Sequence, residues 1–303
     1  MSKILISSNY MENIANAIRA KLNNSIKYKP YEMANAIEAI SNDDGTASFI
    51  EAGEVEGIIW DEVNTRYTIT PQTIGGDIVY GSSTNNKCSQ PIELSHDYQY
   101  VFLWAGYADN YVPVIFLDEN YKIVNFIAQK ADTKIIYRTI FTMPDNAKYV
   151  QLGARVKNIP ICPVGLYYID KNAMIEDMTG GYDSFEGAFY GDPEPIIGQV
   201  INKTTSQYNG YWRKYVKANE VYIYGGITDY DGFYATMLAL SPSNIVIKYD
   251  YKSVGGNNGA HSGIIRCNAQ MDTLNIYTRP GDITVANFDK NRLFNSLCIL
   301  KIS

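Results

Sequence analysis

The feature that most constrains this chain is a strand-rich unit that occurs twice, at residues 97–127 and, more loosely, at residues 219–249. The first copy alternates three aromatic residues with Gln99, Val101 and Leu103, which predicts a strand buried on both faces. Two apolar stretches that flank the turn residues 118–120 then predict a β-hairpin. Two copies of one unit indicate two related β-domains in a single chain.

The two copies keep the same order and spacing over about sixty residues. This preserved spacing favours duplication over chance. The second copy has residues 241–244 where the first has its 118–120 turn, and residues 268–270 where the first has the turn at Pro144. The matching pairs are Leu94 with Val216 and Tyr100 with Tyr222, at an offset of 122, and Val150 with Leu274 and Leu152 with Ile276, at an offset of 124.

Turn residues also divide the chain into domains. Residues 175–195 are rich in Gly, Asp, Glu and Pro, which predicts a linker. Short strands separated by turn signals lie on both sides of it, as in sandwiches and barrels. We therefore expect a mainly β protein, with two tandem antiparallel β-sandwich domains at residues 46–174 and 196–303.

A helical segment precedes these domains. Apolar residues recur at helical spacing in two stretches between residues 9 and 40, which predicts a short α-helical hairpin within residues 1–45. Two short helices bury too little surface to be stable alone. We expect this segment to attach the chain to an assembly or to other copies, with packing on its own β-domain as the alternative.

Composition excludes several classes of function. The net charge is −6 without a basic run, which argues against nucleic-acid binding. No apolar run approaches the roughly 20 residues of a membrane span, so no membrane insertion is expected. The four cysteines lack metal-site spacing and are interpreted as buried free thiols. We expect no metal and no cofactor.

The sequence contains no convincing catalytic constellation, and we predict that the protein is not an enzyme. His96 and His261 are the only histidines, and neither lies in a nucleophile-like context. A glycosidase needs two carboxylates at a defined separation. Adjacent acids such as Asp118 and Glu119 usually solvate a turn, so a polysaccharide-cleaving enzyme is the third hypothesis.

Sugar recognition is the favoured activity. Sugars present C–H faces that pack on aromatic rings and hydroxyls that bond to polar side chains. Residues 104–111, expected as a loop, their counterpart at 225–234, and residues 211–213 combine both features. The alternative is that these aromatic rings fill the sandwiches or a subunit contact. The candidate binding residues are Trp104, Tyr107, Asp109, Asn110, Tyr111, Tyr211, Trp212, Asp229, Tyr230, Asp231 and Tyr234.

Two stretches resemble known proteins. Residues 13–40, with Lys29-Pro30-Tyr31-Glu32-Met33-Ala34 in place, resemble a helical segment of tail proteins from phages and prophages of Gram-positive bacteria. Residues 98–150, with the 114–120 and 141–150 segments, resemble jelly-roll modules of phage tail and baseplate proteins, whose fold is similar to that of carbohydrate-binding modules.

This resemblance implies a tail-fibre, baseplate or receptor-binding protein located in the virion tail. Its partners would be host cell-wall polysaccharide and, through residues 9–40, other virion proteins, and a homotrimer is the expected oligomer. The alternatives are a structural tail or baseplate scaffold and a tail-associated polysaccharide depolymerase.

Overall fold

A computed structural model describes residues 50–303, with gaps at 62–65, 70, 83–85, 106–108, 132–134, 156–164, 179–186, 190–194, 197–198, 201–208, 229–231, 244, 255–258 and 279–295. Residues Ile50–Ser303 form one compact unit. The predicted helical hairpin lies outside the described residues. Within the described ranges, no helix has the length and apolar character that a membrane crossing requires.

All regular secondary structure in the described residues consists of β-strands. The strands of the first half are β1 (Ala52–Glu54), β2 (Arg66–Thr68), β3 (Tyr80–Ser82), β4 (Asn86–Cys88), β5 (Ile92–Glu93), β6 (Tyr98–Ala105), β7 (Asp109–Leu117), β8 (Ile123–Ala131), β9 (Ile136–Thr142), β10 (Tyr149–Arg155) and β11 (Leu166–Asp170). Those of the second half are β12 (Ile175–Asp177), β13 (Gly187–Phe189), β14 (Pro195–Ile196), β15 (Gln199–Val200), β16 (Asn209–Tyr215), β17 (Val221–Thr228), β18 (Gly232–Leu240), β19 (Val246–Val254), β20 (Gly259–Arg266), β21 (Thr273–Thr278) and β22 (Leu297–Ile302).

The strand order identifies each half as a jelly roll. Strands β1–β11 form module 1, with an inner sheet β1-β11-β6-β9 and an outer sheet β4-β10-β7-β8, in which β5 also pairs with β10. Strands β12–β22 form module 2, with an inner sheet β12-β22-β17-β20 and an outer sheet β13-β16-β21-β18-β19. If the eight main strands of each module are renumbered 1 to 8 in chain order, β5 is strand 2 of module 1 and β16 is strand 2 of module 2. In both modules one sheet then has the order 1-8-3-6 and the other contains the order 2-7-4-5. This is the two-sheet arrangement of a jelly roll. The prediction of two β-sandwiches is confirmed.

Backbone irregularities are duplicated as well. The β7–β8 hairpin has register shifts between Tyr111 and Val114 and between Phe116 and Leu117. The β18–β19 hairpin has them between Ala235 and Met237 and at Ala239/Leu240. The shift at Ala239/Leu240 lies 123 residues after the shift at Phe116/Leu117. Because bulges are specific structural features, their repetition at equivalent positions supports duplication.

Two turns that differ in sequence share the same hydrogen bonds between their first and fifth residues. The Asp118 carboxylate accepts the Lys122 amide at 2.9 Å, and the Ser241 hydroxyl accepts the Ile245 amide at 3.1 Å. The backbone amide of Asp118 also donates to the Lys122 carbonyl, and the backbone amide of Ser241 donates to the Ile245 carbonyl. A short polar side chain at the first position is what the turn requires, and Asp and Ser both supply it.

The two inner sheets pack face to face, so the four sheets form a stack of four layers. Side chains alternate sides along a strand. On β6, the Tyr100 ring stacks 5.5 Å from Phe141 inside module 1, whereas Leu103 on the other face meets Gly225 of β17. Ile223 and Leu300 of module 2 join the same apolar cluster as the module 1 interior. This explains why β6 is buried on both faces, as its sequence predicts.

Close approach of the inner sheets depends on Gly225. A Cβ atom there would lie 3.2 Å from Leu103 Cδ1 and 3.4 Å from Ile136 Cγ2. At the offset of 122, Gly225 is the residue equivalent to Leu103, so a large side chain in one module fills the space that its counterpart leaves open. Polar contacts surround the apolar centre, with Tyr167 donating to Ser262 Oγ at 2.8 Å and Arg138 paired with Asp177.

Part of the predicted linker belongs to module 2. Residues Ile175–Asp177 form β12, which pairs with β22 at the edge of the inner sheet. Residues Gly187–Phe189 form β13, which pairs with β16 at the edge of the outer sheet. Gly and Pro residues indicate turns, but composition does not reveal a short edge strand between two turns. Such a strand is stabilised by hydrogen bonds to its neighbour in the sheet and not by a pattern in its own sequence.

Three cysteines are confirmed as buried thiols that are not in a disulfide, namely Cys88, Cys267 and Cys298. Cys162 lies outside the described residues. Burial raises the pKa of the Cys267 thiol to about 12, which keeps it protonated at neutral pH. These thiols act as small apolar side chains in the cores.

We predict that Glu220 makes module 2 sensitive to acid. Burial alone would raise the pKa of its carboxyl, but hydrogen bonds from Lys301 at 2.7 Å and from the Lys217 amide and the Tyr222 hydroxyl at 2.9 Å outweigh that effect and lower it. A lowered pKa gives stability that is present above the unfolded-state value and lost as pH falls through the folded-state value. Glu220→Gln should therefore cost about 1–3 kcal/mol near pH 7 and flatten the decline below about pH 4.5.

Thermal unfolding between pH 7 and pH 3 checks this. Glu119→Gln, at an exposed turn position, is the matched control and should leave the pH profile unchanged. An unchanged profile in Glu220→Gln would contradict the assignment.

Candidate functional site

The structure places Trp104, a candidate sugar-binding residue for which core packing was the alternative, in the core. Its side chain is fully buried, donates from Nε1 to Thr139 Oγ1 at 2.9 Å and stacks 4.8 Å from the Tyr137 ring. Residues 104 and 105 belong to β6, and only residues 106–108 lie between β6 and β7. The predicted loop at 104–111 is therefore mostly strand, and Trp104 belongs to the module 1 core.

Trp212 is likewise a core residue. It is fully buried in module 2 and lies 6.0 Å from the Tyr222 ring. Its location follows from strand parity on β16, where Trp212 points inward and its neighbours Arg213 and Tyr215 lie nearer the surface. A large apolar ring in an alternating strand gains most by filling the space between two sheets.

The remaining predicted residues stay predictions. Residues 229–231 alone separate β17 from β18, so the expected loop at 225–234 is also mostly strand. Tyr107, Asp229, Tyr230 and Asp231 lie outside the described residues. Asp109, Asn110, Tyr111, Tyr211 and Tyr234 are placed in β7, β16 and β18, with side chains outside the part that is described.

A different site is visible on the outer sheet of module 1. A surface groove of about 340 Å³ lies over strands β7 and β10, beneath the chain that leads into β3. That volume falls within the range of small-ligand sites. The groove is lined by Asp61, Asp77, Ile78, Tyr80, Cys88, Ser89, Gln90, Pro91, Leu117, Tyr121 and Gln151.

The floor of the groove is fixed by Gln151 on β10. This side chain is 5% exposed, accepts from the Tyr80 hydroxyl at 3.0 Å and donates to the Ser89 carbonyl at 2.9 Å. The Ser89 hydroxyl in turn accepts the Leu152 amide at 2.9 Å. Both ends of the Gln151 amide are therefore held, and Tyr80 is positioned by the same network.

Residues 75 and 76, which precede the groove residues Asp77 and Ile78, are bound to Ile123 at the start of β8 by backbone hydrogen bonds. The Gly75 amide donates to the Ile123 carbonyl at 2.7 Å, and the Ile123 amide donates to the Gly76 carbonyl at 3.1 Å. Gly75 has φ +80°, a conformation that favours glycine, so it allows the chain to reverse here. Lys122 also pairs with Asp77 at 2.6 Å, although both side chains are well exposed.

Tyr121 is the most unusual residue of the groove. Its φ of +62° is left-handed, a conformation that costs a bulky residue free energy and that glycine or asparagine adopts more easily. The residue is 52% exposed, and its ring stacks on Tyr149 with centroids 4.9 Å apart and planes 14° from parallel. An aromatic ring at a position better suited to glycine is the kind of local strain that occurs at functional sites.

Sequence reasoning missed this groove because its lining comes from five separated segments. Tyr121 directly follows the 118–120 turn, and an exposed tyrosine at that position was the one signal available. Tyr80, Gln90 and Gln151 carry no motif that relates them. Among the described residues, no cluster of His, Cys, Asp and Glu could hold a metal ion.

Comparison with known proteins shows distant structural likenesses only. No protein-family model matches the chain, and no curated protein matches it in sequence. The chain is similar to the N-terminal CBM22-1-CBM22-2 tandem domain of Xyn10C from Paenibacillus barcinonensis, at 10% identity over 86% of this chain and 94% of that one, with a TM-score of 0.21.

Two further solved structures are similar to this chain at comparably low identities and TM-scores. Tandem CBM51 modules of a family 98 glycoside hydrolase from Streptococcus pneumoniae are 10% identical, covering 84% of this chain and 99% of theirs, with a TM-score of 0.24. The PBSX exported protein XepA is 7% identical, covering 83% and 85%, with a TM-score of 0.21. Scores this low carry no argument about function, which must come from the groove.

Proposed function

We propose that the protein binds polysaccharide without cleaving it, through the groove on the outer sheet of module 1. The observation that carries this proposal is the combination of two tyrosine rings, Tyr80 and Tyr121, with a fixed amide floor at Gln151. Two carboxylates, Asp61 and Asp77, complete the polar lining.

The physical fit is to a sugar ring. Tyr121 presents an exposed aromatic face against which C–H groups can pack, and its stacking on Tyr149 holds that face in place before a ligand arrives. Amide and carboxylate oxygens accept hydrogen bonds from hydroxyls, and the amide nitrogen donates to them. Hydrophobic packing on one side and hydrogen bonds on the other match the two chemical faces of a pyranose.

A shallow groove of this size is expected to bind weakly. Several copies on one particle would raise the apparent affinity by avidity without new contacts. The proposed homotrimer would serve this purpose.

Calorimetric titration of the full-length protein with purified host cell-wall polysaccharide tests the binding proposal. Tyr80→Ala should weaken binding about tenfold, equivalent to 1.4 kcal/mol, because it removes a ring and frees Gln151. Tyr215→Ala is the matched control, since Tyr215 is 74% exposed but belongs to module 2. Equal affinity in the two variants, or no binding by the wild-type protein, would refute the proposal.

We further propose that the protein is a tail-fibre, baseplate or receptor-binding component of a phage-like particle, attached through residues 9–40. The sequence resemblance of that segment supports this setting. Removal of residues 1–49 should leave the compact unit Ile50–Ser303 folded and convert an oligomer into a monomer, as measured by light scattering. An unchanged oligomeric state would contradict attachment through the segment.

A structural scaffold is the second candidate, and one observation favours it. Ile59, Ile74 and Val79, close in sequence to groove residues, are 67%, 65% and 43% exposed. A contiguous apolar patch is typical of a surface that another protein covers, and the scaffold hypothesis requires these three side chains to contribute to one. Serine substitutions at these three positions should reduce incorporation into particles under the scaffold hypothesis and leave polysaccharide affinity unchanged.

A further inference from the structure

One side of the module 1 groove is formed by a loop whose two ends are held together by strand pairing. Strand β2 leads into this loop and β3 leads out of it, and the two strands pair with Thr68 opposite Tyr80. The loop therefore begins and ends at neighbouring points, as an Ω-loop does. Its last part, residues 71–80, is called the wall segment here, and Asp77, Ile78 and Tyr80 of this segment line the groove.

The Gln72 side chain ties the interior of the wall segment together. Gln72 is 7% exposed, its Oε1 accepts the Val79 amide at 3.0 Å, and its Nε2 donates to the Val79 carbonyl at 2.8 Å. Nε2 also donates to the Ile69 carbonyl. Backbone groups enclosed by a loop need hydrogen-bond partners, and here one side chain satisfies three of them. Two of the three belong to Val79, the residue directly before Tyr80.

Other contacts fix the wall segment at its start and in its middle. Thr68 Oγ1 donates to the Val112 carbonyl, and a Cβ atom at Gly153 would lie 2.5 Å from that oxygen, so β10 leaves room for this contact. The middle is bonded to Ile123 through its backbone, and Ile78 packs on the apolar cluster of β7. The bonds from the Gln72 side chain extend this support to the end of the segment.

We propose that Gln72 is the positioning residue of the groove, because it holds Val79 and Tyr80 in the binding arrangement before a ligand arrives. This inference rests on the proposed function of the same groove. The Tyr80 hydroxyl donates to Gln151, while Gln72 fixes the backbone of the residue before Tyr80. A groove that is already ordered binds more tightly than one that its ligand must order. Gln72 therefore acts on the saccharide through Tyr80.

Gln72→Met tests whether these hydrogen bonds hold the wall segment. Methionine keeps the length and apolar stem of glutamine but lacks its amide donors and its carbonyl acceptor. In the full-length protein, the backbone amides of residues 72–80 should exchange at least about tenfold faster, while those of β7 and β10 keep their wild-type rates. Hydrogen exchange followed by mass spectrometry measures both. Equal acceleration in β7 and β10 would show that Gln72 stabilises the whole sandwich and would overturn the proposal.

Calorimetric titration with purified host cell-wall polysaccharide measures the effect on the groove. The affinity of Gln72→Met should fall at least about tenfold. The loss should lie mainly in a less favourable binding entropy, because the ligand must then order the wall segment. Gln270→Met, at an exposed position in module 2, is the matched control and should change neither the exchange rates nor the affinity.

The two measurements separate this inference from the proposed function. Wild-type affinity in Gln72→Met, with faster exchange of its wall segment, would overturn the positioning role while leaving sugar binding in place. Wild-type exchange rates in the segment would overturn it as well. Absence of binding by the wild-type protein would refute the proposed function, and the exchange rates alone would then decide whether Gln72 holds the wall segment.

Discussion

Ile223→Asp is expected to unfold both modules together. Ile223 is fully buried on β17 and faces module 1 across the contact between the inner sheets, within a cluster that also contains Val101 and Leu103. A carboxylate there would lose its hydration without gaining a partner, at a cost of several kcal/mol. That is comparable with the whole stability of many domains, which is about 5–15 kcal/mol.

The measurement is thermal unfolding followed by calorimetry. The wild-type protein should show one transition, because its module 1 core continues into the inner sheet of module 2. Ile223→Val keeps the apolar contact and should cost about 0.5–1.5 kcal/mol while preserving a single transition. If Ile223→Asp lost only the module 2 transition and left module 1 unaffected, the two modules would be independent and the shared core would be refuted.

Tyr121→Gly is expected to weaken binding in the groove at least about tenfold while leaving stability nearly unchanged. Replacing tyrosine at φ +62° removes a backbone strain of about 1–2 kcal/mol. The same change removes the stacking on Tyr149, which is about 0.5–1.5 kcal/mol. Because the two effects have opposite signs and similar sizes, the free energy of unfolding should change by less than about 1 kcal/mol.

The effect of Tyr121→Gly on binding affinity is not offset by a second effect of opposite sign. The exposed ring is the main apolar surface offered to a sugar, so affinity should fall at least about tenfold. Tyr121→Phe keeps the ring and should retain most of the affinity, which separates ring packing from the hydroxyl. Unchanged polysaccharide binding by Tyr121→Gly, with the wild-type protein binding normally, would move the site elsewhere.

The four-layer stack has a consequence for how the protein meets a surface. The two outer sheets lie on opposite sides of the stack, separated by three sheet-to-sheet spacings of about 10 Å each. A groove on the outer sheet of module 1 and any site on the outer sheet of module 2 would therefore face in opposite directions. Only one of them could contact a flat wall at a time.

The sequence by itself determined the mainly β class, the division into two sandwich modules, the central strands of the first copy and its 118–120 turn. Period-two alternation on β6 and β10 and turn residues such as Asp118 are local signals, and they persist because a strand's pleat and a turn's hydrogen bonds depend on nearby residues. The duplication could also be predicted from the sequence, because the spacing of the apolar residues is repeated in the second copy. Cys88, Cys267 and Cys298 were recognisable as buried thiols from their apolar surroundings.

Only the tertiary structure decided what each buried face meets and where a site forms. The alternation on β6 indicates burial on both sides but cannot say that one side meets module 2, because apolar packing is not specific to a partner. For the same reason Trp104 and Trp212, candidates for a surface site, are core residues. The groove joins Tyr80, Tyr121 and Gln151 from distant parts of the chain, and only sheet pairing brings such residues together.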